Sequence, residues 1–226
     1  ARAFAPPVKG LEPEDAFLMR TVEDALRFKD RLKKNDIKHA VVIGASMAGI
    51  KVVEVLHKYG IETWLLDLAS YIFPLAAYKE VAKEIEKRVE AQGVHLMFGV
   101  TIDHMEQENG EKTAVLTDGS RIPADIVGLC IGTRAITETV QGEVEIGRGI
   151  VVDDHMRTSV PGIYAAGDCC EGNNLESGQN QIIGLWANAN HQGETAGINM
   201  AGGDMAYKGN ILHNITHFMN MDFIGF

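Results

Sequence analysis

One segment, residues 39–67, constrains the fold of this chain more than any other. His39–Ile43 is a short apolar run of the kind that forms a buried parallel strand. A turn of small residues, Gly44–Gly49, follows it, and apolar side chains then recur at helical spacing. A second apolar run ends at Asp67. The segment therefore predicts a strand, a tight turn, a helix and a second parallel strand, which together form a βαβ unit.

The turn of this unit departs from the glycine pattern of dinucleotide-binding sites. That pattern is G-x-G-x-x-G, and here Ser46 replaces the middle glycine. Serine is small enough to allow a phosphate to approach closely, and its hydroxyl offers a contact to phosphate. A helix that begins at such a turn presents unpaired N–H groups and a positive dipole end to a pyrophosphate. The candidate phosphate-binding residues are Gly44, Ala45, Ser46, Met47, Ala48 and Gly49.

Asp67 follows at the spacing expected for the acid that binds the adenosine ribose hydroxyls. A carboxylate at this position repels a 2′-phosphate, and residues 68–78 contain no Arg or Lys to receive one. We therefore expect NAD(H) rather than NADP(H). The alternative is that Asp67 is only a turn residue at the end of a strand.

A second motif occupies Thr158–Asp168. Pro161–Gly162 is a turn signal, and the short apolar run Ile163–Ala166 predicts a buried strand. Gly167 has no side chain, so a ligand can approach the backbone there. Asp168 then lies beyond the carboxyl end of a strand, where ligands bind in open α/β sheets. The alternative is an ordinary buried strand that ends in a turn.

The remaining segments alternate between predicted helices and short strands. Thr21 and Asp24 are spaced as a capping box that opens the first helix, and Val81, Ile85 and Val89 share one face of a later helix. Helices are predicted over residues 22–35, 78–92 and 185–200. Strands are predicted over residues 94–100, 102–107, 112–116 and 126–131.

Charge and cysteine content restrict the partners of the chain. Its 31 acidic and 21 basic residues give a net charge of −10, which argues against nucleic acid and anionic membranes as partners. No apolar run is long enough for a membrane helix, and no signal peptide opens the chain. Three cysteines provide no disulfide framework and suit a reducing cytoplasm.

Two groups of residues could bind metal, but neither has a supporting pattern. Cys169 and Cys170 could form a redox pair or a metal site, yet no CxxC spacing accompanies them, and two small packing side chains are favoured. His213 and His217 have the spacing of a shared helix face, without an HExxH motif. Structural roles are favoured for both groups, and no metal site is predicted.

The motif at Thr158–Asp168 resembles the second FAD-binding motif of the pyridine nucleotide-disulfide oxidoreductase family. Residues 185–193 resemble the final FAD helix of that family, whose N-terminus faces the pyrimidine edge of the flavin. In the family, the Asp that matches Asp168 accepts hydrogen bonds from the ribityl chain of FAD. The resemblance implies FAD contacts at Gly167, Asp168, Leu185, Trp186 and Ala187, and a contact to the nicotinamide nucleotide at Gly132.

The resemblance spans nearly all of residues 1–206. It looks closest to the branch with rubredoxin reductases, NADH oxidases and the flavin portion of nitrite reductases. It implies an α/β fold in which a Rossmann-like NAD-binding domain, residues 22–137, is inserted in an FAD-binding domain, residues 1–21 and 138–205. Residues 206–226 would begin a C-terminal interface domain. No ADP-binding glycine motif precedes residue 22, so we expect a fragment that lacks the N-terminal half of the FAD domain.

The activity that the resemblance implies is that of an FAD-dependent NADH oxidoreductase. FAD and NAD(H) would be its cofactors, and electrons would pass to an unidentified acceptor, either a small molecule or a small redox protein. Relatives often form homodimers. Lys51 stands where many relatives carry Glu, and no residue is a candidate acid, base or nucleophile. A fragment need not be active alone, and two alternatives are a non-catalytic NAD(H)-sensing module and one subunit of a two-chain flavoprotein.

Overall fold

The computed structural model of the chain describes residues 1–225. The helices are α1 (Val22–Leu32), α2 (Met47–Lys58), α3 (Lys79–Glu90) and α4 (Trp186–Met200). The strands are β1 (Arg2–Ala3), β2 (Ala16–Leu18), β3 (His39–Ile43), β4 (Glu62–Asp67), β5 (His95–Phe98), β6 (Ile102–Glu108), β7 (Glu111–Leu116), β8 (Arg121–Pro123), β9 (Ile126–Leu129), β10 (Thr133–Arg134), β11 (Gly172–Asn173), β12 (Asn180–Gln181), β13 (Asn214–Phe218) and β14 (Met221–Gly225). Within this part of the chain, no helix has the length and apolar character needed to cross a membrane.

The chain divides into two compact units. One, the sheet unit, contains residues 3–132 and 214–225, and the other, the α4 unit, contains residues 1–2 and 133–213. These boundaries differ from the predicted segments, because residues 3–21 and 214–225 lie with the sheet unit. Which cofactor each unit binds stays a prediction.

A parallel sheet of five strands forms the centre of the sheet unit, in the order β2-β9-β3-β4-β5. Its strands alternate between two buried faces. Ala40 and Val42 of β3 pack toward the helices, whereas Val41 and Ile43 pack against the antiparallel sheet β6-β7-β8. This alternation follows from the two-residue repeat of a strand, and it confirms the predicted parallel α/β fold.

The strands and helices of the sheet unit form largely where the sequence predicts them. Strand β3 has the predicted bounds, and β4 ends at Asp67. The capping box of α1 is present, since Thr21 Oγ1 accepts the N–H of Asp24 at 3.2 Å while the Asp24 carboxylate accepts the N–H of Thr21 at 2.9 Å. One detail of α3 is wrong in the prediction, because Val81 is 46% exposed and Ala82 is buried in its place.

The hairpin β13–β14 packs onto the helical face of the sheet unit. Phe218, which has no exposed surface, meets the ring of Phe73 edge-on at a centroid distance of 5.5 Å, and Phe223 packs against the same ring at 5.1 Å. His217 lies in strand β13, and His213 precedes that strand. The two histidines thus do not share a helix face. The hairpin completes the apolar core of this unit.

The α4 unit consists mainly of turns and irregular segments around helix α4. The predicted buried strand at Ile163–Ala166 is wrong. This segment makes a single antiparallel bridge, from Tyr164 to Arg157, and Ile163 is 38% exposed. A strand needs a neighbour to complete a ladder of hydrogen bonds, and among the described residues only the short segment around Arg157 supplies one.

Candidate functional site

The turn at Gly44–Gly49 lies at the point where the strand order of the parallel sheet reverses. Strand β3 has β4 on one side and β9 on the other, and the chain leaves β3 toward β4 before it returns to β9. The carboxyl ends of β3 and β9 are therefore adjacent at this edge of the sheet. In open α/β sheets, this reversal point is where ligands bind.

The two outer glycines of the turn are required by close backbone packing. Gly44 has a φ of +106°, which L side chains rarely adopt, and a Cβ there would overlap the carbonyl oxygen of Cys130. A Cβ on Gly49 would overlap the carbonyl oxygen of Gly44. The first turn of α2 thus packs directly on the end of β3, and its N–H groups face the edge of the sheet.

Ser46 at the middle glycine position is the N-cap of α2. Its backbone is extended, with a φ of −94°, so a side chain causes no strain there. Its Oγ accepts the N–H of Gly49 at 3.3 Å and donates to the carbonyl oxygen of Cys130 at 3.0 Å. The hydroxyl that we expected to be available to phosphate is therefore engaged within the protein, and it stabilises the helix as a cap.

Asp67 braces the same turn from the end of β4. Its Oδ2 accepts the N–H of Ala45 at 2.7 Å, and its Oδ1 accepts the N–H of Ala69 at 2.8 Å. The carboxylate is half-buried and lies against the Gly44–Gly49 turn, as the βαβ pattern predicts. It therefore acts as a turn residue whatever it also binds, and each oxygen keeps capacity to accept a ribose hydroxyl.

The other residues predicted for this site lie within the turn or close to it. Ala48 is exposed and Met47 is half-buried in the first turn of α2, which carries no acidic side chain to oppose an anion. Gly132 is exposed beyond β9, and the space around its Cα is open. The structure thus brings all the predicted residues of the sheet unit to one edge of one sheet.

Lys51 is directed away from this edge and toward the β13–β14 hairpin. Its Nζ donates to Glu54 at 2.5 Å and to the carbonyl oxygen of His217 at 2.6 Å. The Glu54 carboxylate is buried and also accepts from Lys58 at 3.1 Å and from the N–H of Met219 at 3.2 Å. Lys51 therefore belongs to an ion-pair cluster that fastens the hairpin to α2.

Sequence reasoning missed this cluster, although the spacing of Lys51, Glu54 and Lys58 is a helix-face signal. Burial by itself would raise the pKa of Glu54. The hydrogen bonds from Lys51, Lys58 and the Met219 N–H outweigh burial and lower that pKa to about 2. The carboxylate is therefore charged at neutral pH, and its charge is used in attaching the hairpin.

The second predicted site lies entirely in the α4 unit. Gly167 has a φ of +81°, and a Cβ there would touch the Cβ of Ala189 at 3.4 Å, so the turn packs on the first turns of α4. Oδ1 of Asp168 lies 3.9 Å from the position that a Cβ on Gly184 would take. Asp168 and the start of α4 are therefore neighbours, as the resemblance implies.

The N-terminus of α4 carries the residues for which the resemblance implies FAD contacts. Leu185 is the N-cap, and its apolar side chain provides no capping hydrogen bond to the first N–H groups of the helix. Trp186 is 85% exposed, and Ala187 is exposed beside it. An uncapped helix N-terminus, an exposed indole and a nearby carboxylate fit a flavin that carries both an aromatic ring and hydroxyl groups.

Sequence reasoning also missed the buried polar face of α4. Asn188, Thr195 and Asn199 are all buried, and Gln192 lies between them. Asn188 donates to the carbonyl oxygen of Ile183 at 3.0 Å and accepts from the hydroxyl of Tyr207 at 2.6 Å. The spacing of these polar residues, three and four apart, was the available signal.

The adjacent cysteines are not joined by a disulfide. Cys169 is half-buried and donates to the carbonyl oxygen of Ala166 at 3.3 Å, whereas Cys170 is buried. The interaction between the two neighbouring side chains lowers the pKa of Cys169 and raises that of Cys170. Burial raises the pKa of Cys130, in the sheet unit, to about 12, so that thiol is inert.

One group of acidic residues lies elsewhere in the α4 unit. Potential ligand atoms of Asp153, Asp154 and His155 lie within 4.8 Å of one another. His155 uses both ring nitrogens on carboxylates, at 2.6 Å to Asp154 and 3.0 Å to Asp204. The hydrogen bond to Asp154, followed by that to Asp204, raises the pKa of His155. The group is thus explained as an ion-pair cluster on the surface.

These features define a class of α/β protein with two candidate sites. One is the Gly44–Gly49 turn at the edge of a parallel sheet, and the other is the Gly167–Asp168 turn beside helix α4. The chain belongs to the pyridine nucleotide-disulphide oxidoreductase family, whose model matches residues 1–193.

Individual relatives are similar over almost the whole chain. A protein of Methanocaldococcus jannaschii named NADH oxidase is 28% identical over 89% of the chain and 45% of its own length. The water-forming NADH oxidase of Lactobacillus brevis, solved with NADH bound, is 25% identical with a TM-score of 0.91, covering 98% of this chain and 49% of that one. An FAD-dependent pyridine nucleotide-disulphide oxidoreductase of Desulfovibrio vulgaris is 27% identical with a TM-score of 0.79, covering 96% and 56%. The chain thus spans about half the length of these relatives.

Proposed function

We propose that this chain is part of an FAD-dependent NADH oxidoreductase. The observation that supports this most is that one chain carries both sites, each assembled within its own unit. The Gly44–Gly49 turn lies at the reversal point of a parallel sheet, and the Gly167–Asp168 turn lies beside an uncapped helix. Either site alone would fit a wider range of proteins.

In this proposal the sheet unit binds NADH. The N-terminus of α2, with Gly44–Gly49 before it, holds the pyrophosphate, because its N–H groups and dipole favour an anion. Asp67 accepts from the adenosine ribose and disfavours a 2′-phosphate, and Gly132 lets the nicotinamide nucleotide approach the end of β9. NAD(H) is therefore preferred over NADP(H).

The α4 unit contributes to the FAD site. Asp168 accepts from the ribityl hydroxyls, Gly167 allows close approach, and the N-terminus of α4 at Leu185, Trp186 and Ala187 faces the flavin. A helix N-terminus stabilises negative charge, which reduced flavin carries. FAD supplies the chemistry by taking a hydride from NADH and passing electrons on to an acceptor, a small molecule or a small redox protein.

The proposed organisation retains the predicted domain assignment. The NAD-binding domain is residues 22–137, the FAD-binding domain includes residues 1–21 and 138–205, and residues 206–226 begin an interface domain through which a homodimer would form. Three unpaired cysteines support a reducing compartment such as the cytoplasm.

The test is the visible absorption spectrum of the natural full-length polypeptide before and after anaerobic addition of NADH. Flavin bands that bleach with NADH are expected. A protein that binds NADH without flavin would instead be an NAD(H)-sensing module. Flavin bands that appear only with a second, copurifying polypeptide would indicate a two-chain flavoprotein.

A further inference from the structure

One side chain of α4, Gln192, reaches the proposed flavin turn from inside the protein. Gln192 has no exposed surface, and its Oε1 accepts the N–H of Gly167 at 2.9 Å. The thiol sulfur of Cys170 lies between two acceptors, 3.5 Å from the carbonyl oxygen of Gly167 and 3.6 Å from Oε1 of Gln192. Oε1 therefore anchors the first residue of the Gly167–Cys170 turn, which contains Asp168 and which the N–H of Cys170 closes on the carbonyl oxygen of Gly167 at 3.1 Å.

The hydrogen bond to Gly167 determines how this turn can be arranged. Gly167 is buried and has a left-handed backbone, so its N–H points into the protein, where it needs an acceptor. Without Oε1, this N–H would be buried and unpaired, and the turn would rotate to find another partner. Asp168 is the next residue along the chain, so such a rotation would move its carboxylate.

Packing confines Gln192 to the conformation that makes this bond. A Cβ added to Gly172 would lie 2.5 Å from Nε2 of Gln192. The same added Cβ would lie 3.3 Å from the hydroxyl of Tyr207. Only a glycine at position 172 therefore leaves room for the amide. The backbone of Gly172 therefore packs closely against the end of the Gln192 side chain.

The other end of the amide shows that its role is confined to the turn. Within residues 1–225, Nε2 of Gln192 is the one buried side-chain nitrogen or oxygen that has no hydrogen-bond partner. Asn199, on the same helix, uses both ends of its amide: Nδ2 donates to the carbonyl oxygens of His155 and Met205, and Oδ1 accepts the N–H of Met205. A buried amide with an unpaired nitrogen contributes little to the stability of the fold. The hydrogen bond that Oε1 accepts is therefore the main contribution of this side chain.

We propose that Gln192 is a positioning residue for FAD, which sets the Gly167–Asp168 turn so that the Asp168 carboxylate is placed to accept from the ribityl chain. The inference rests on the proposed function of this site. Gln192 does not touch the flavin in this account and acts through the backbone of Gly167.

The test compares FAD affinity in variants of the natural full-length polypeptide, with thermal stability and NADH affinity measured alongside. Gln192→Met keeps the length of the side chain and removes Oε1. We expect FAD to bind about tenfold more weakly, the loss typical of one hydrogen bond, with NADH affinity unchanged. Gln192→Glu keeps an oxygen at the same position and is expected to restore most of the FAD affinity.

Asn199→Leu is the matched control, since it removes a buried amide from the same helix but leaves Gly167 untouched. It is expected to change FAD affinity by less than about twofold, even where it lowers the melting temperature. If Gln192→Met does not fold, Gly172→Ala provides a second route, because its Cβ displaces Nε2 and should also weaken FAD binding.

The outcomes separate this inference from the proposed function. A wild-type polypeptide that binds no FAD contradicts the proposed flavin site itself. A wild-type polypeptide that binds FAD, with Gln192→Met and Gly172→Ala binding it equally well, overturns the role of Gln192 alone. Equal losses in Gln192→Met and Asn199→Leu would also overturn it, since they would show a general effect of destabilising α4.

Discussion

The two candidate turns of this protein are held in place by different means. The Gly44–Gly49 turn is fixed mainly by backbone groups, since the N–H of Gly44 donates to the carbonyl oxygen of Leu66 at 2.8 Å within a five-stranded sheet. The Gly167–Asp168 turn lies outside the parallel sheet, and although the N–H of Cys170 closes it on the carbonyl oxygen of Gly167 at 3.1 Å, the N–H of Gly167 itself donates to the side chain of Gln192 at 2.9 Å.

This difference predicts how each turn fails. A turn held by backbone contacts tolerates many side-chain changes but not a Cβ where two backbones touch. A turn in which a buried N–H has a side-chain acceptor is sensitive to the loss of that acceptor atom. Substitutions in the two turns and around them should therefore differ in their effects.

The largest effect is expected where the backbone contact is closest. Gly49→Ala places a Cβ on the carbonyl oxygen of Gly44, so α2 must shift away from β3. We expect a loss of about 3 kcal/mol in the free energy of unfolding and at least about tenfold weaker NADH binding. Chemical denaturation and NADH titration measure the two.

Gly197→Ala is the matched control for this substitution. Gly197 is also a helix residue, in α4, and nothing lies within 4 Å of its Cβ position. The alanine is expected to stabilise the protein by about 0.5–1 kcal/mol, since glycine is a poor helix former. Similar stability in both variants would show that the Gly44–Gly49 turn is not tightly packed.

A second test asks whether the sheet unit also depends on a side chain, at the far end of α2. The lowered pKa of Glu54, about 2, means that its charged form stabilises the folded state. This contribution, about 3 kcal/mol, is nearly complete above pH 4.5 and disappears as the pH falls toward 2. Glu54→Gln should therefore lower the free energy of unfolding at pH 7. It should also reduce the further decrease of that free energy between pH 4.5 and pH 2, which urea unfolding at several pH values measures.

The control for Glu54 is Glu84→Gln on α3. Glu84 has the same kind of helical pairing, with Arg88 at 3.1 Å, but it is exposed. Exposed pairs contribute little, so we expect a change within about 0.5 kcal/mol at neutral pH. Equal pH dependence in the two variants would contradict a structural role for the buried carboxylate.

Asp67 is an acidic side chain that braces the Gly44–Gly49 turn, and its substitution tests the choice of cofactor. Asp67→Arg removes the acceptor of the Ala45 N–H and places a positive charge where a 2′-phosphate would lie. NADH affinity should fall about tenfold, and the preference for NADH over NADPH should narrow or reverse. Asp67→Asn, which keeps one acceptor oxygen, should weaken NADH binding less, without improving NADPH binding. Unchanged selectivity in Asp67→Arg would remove Asp67 from the site.

The smallest effect concerns the thiols of the second turn. The Cys170 thiol lowers the pKa of Cys169, so Cys170→Ala should raise the pKa of Cys169. A smaller fraction of Cys169 would then be thiolate near neutral pH, and its alkylation by iodoacetamide should be a few-fold slower. Cys170→Ser retains a donor and should react more like the wild type. A rate unaffected by Cys170→Ala would show that the two thiols do not interact.

The success of the sequence predictions also differs between the two units. In the sheet unit, β3, β4 and the capping box of α1 lie as predicted, because strand alternation and capping are local patterns. In the α4 unit, the predicted strand at Ile163–Ala166 does not form. An apolar run predicts burial, but a strand also requires a partner that local sequence does not reveal.

The amino-acid sequence by itself determined the family, the parallel α/β sheet and the positions of both glycine turns, since these depend on local periodicity and on glycine. Only the tertiary structure decided how the functional side chains are used. Ser46 caps a helix, Asp67 braces a turn, Lys51 fastens a hairpin, and Gln192 holds Gly167. Apart from the Ser46 cap, whose partner Gly49 is three residues away, each of these partners is far along the chain or on another element, and such a hydrogen bond depends on distances in space that no sequence spacing specifies.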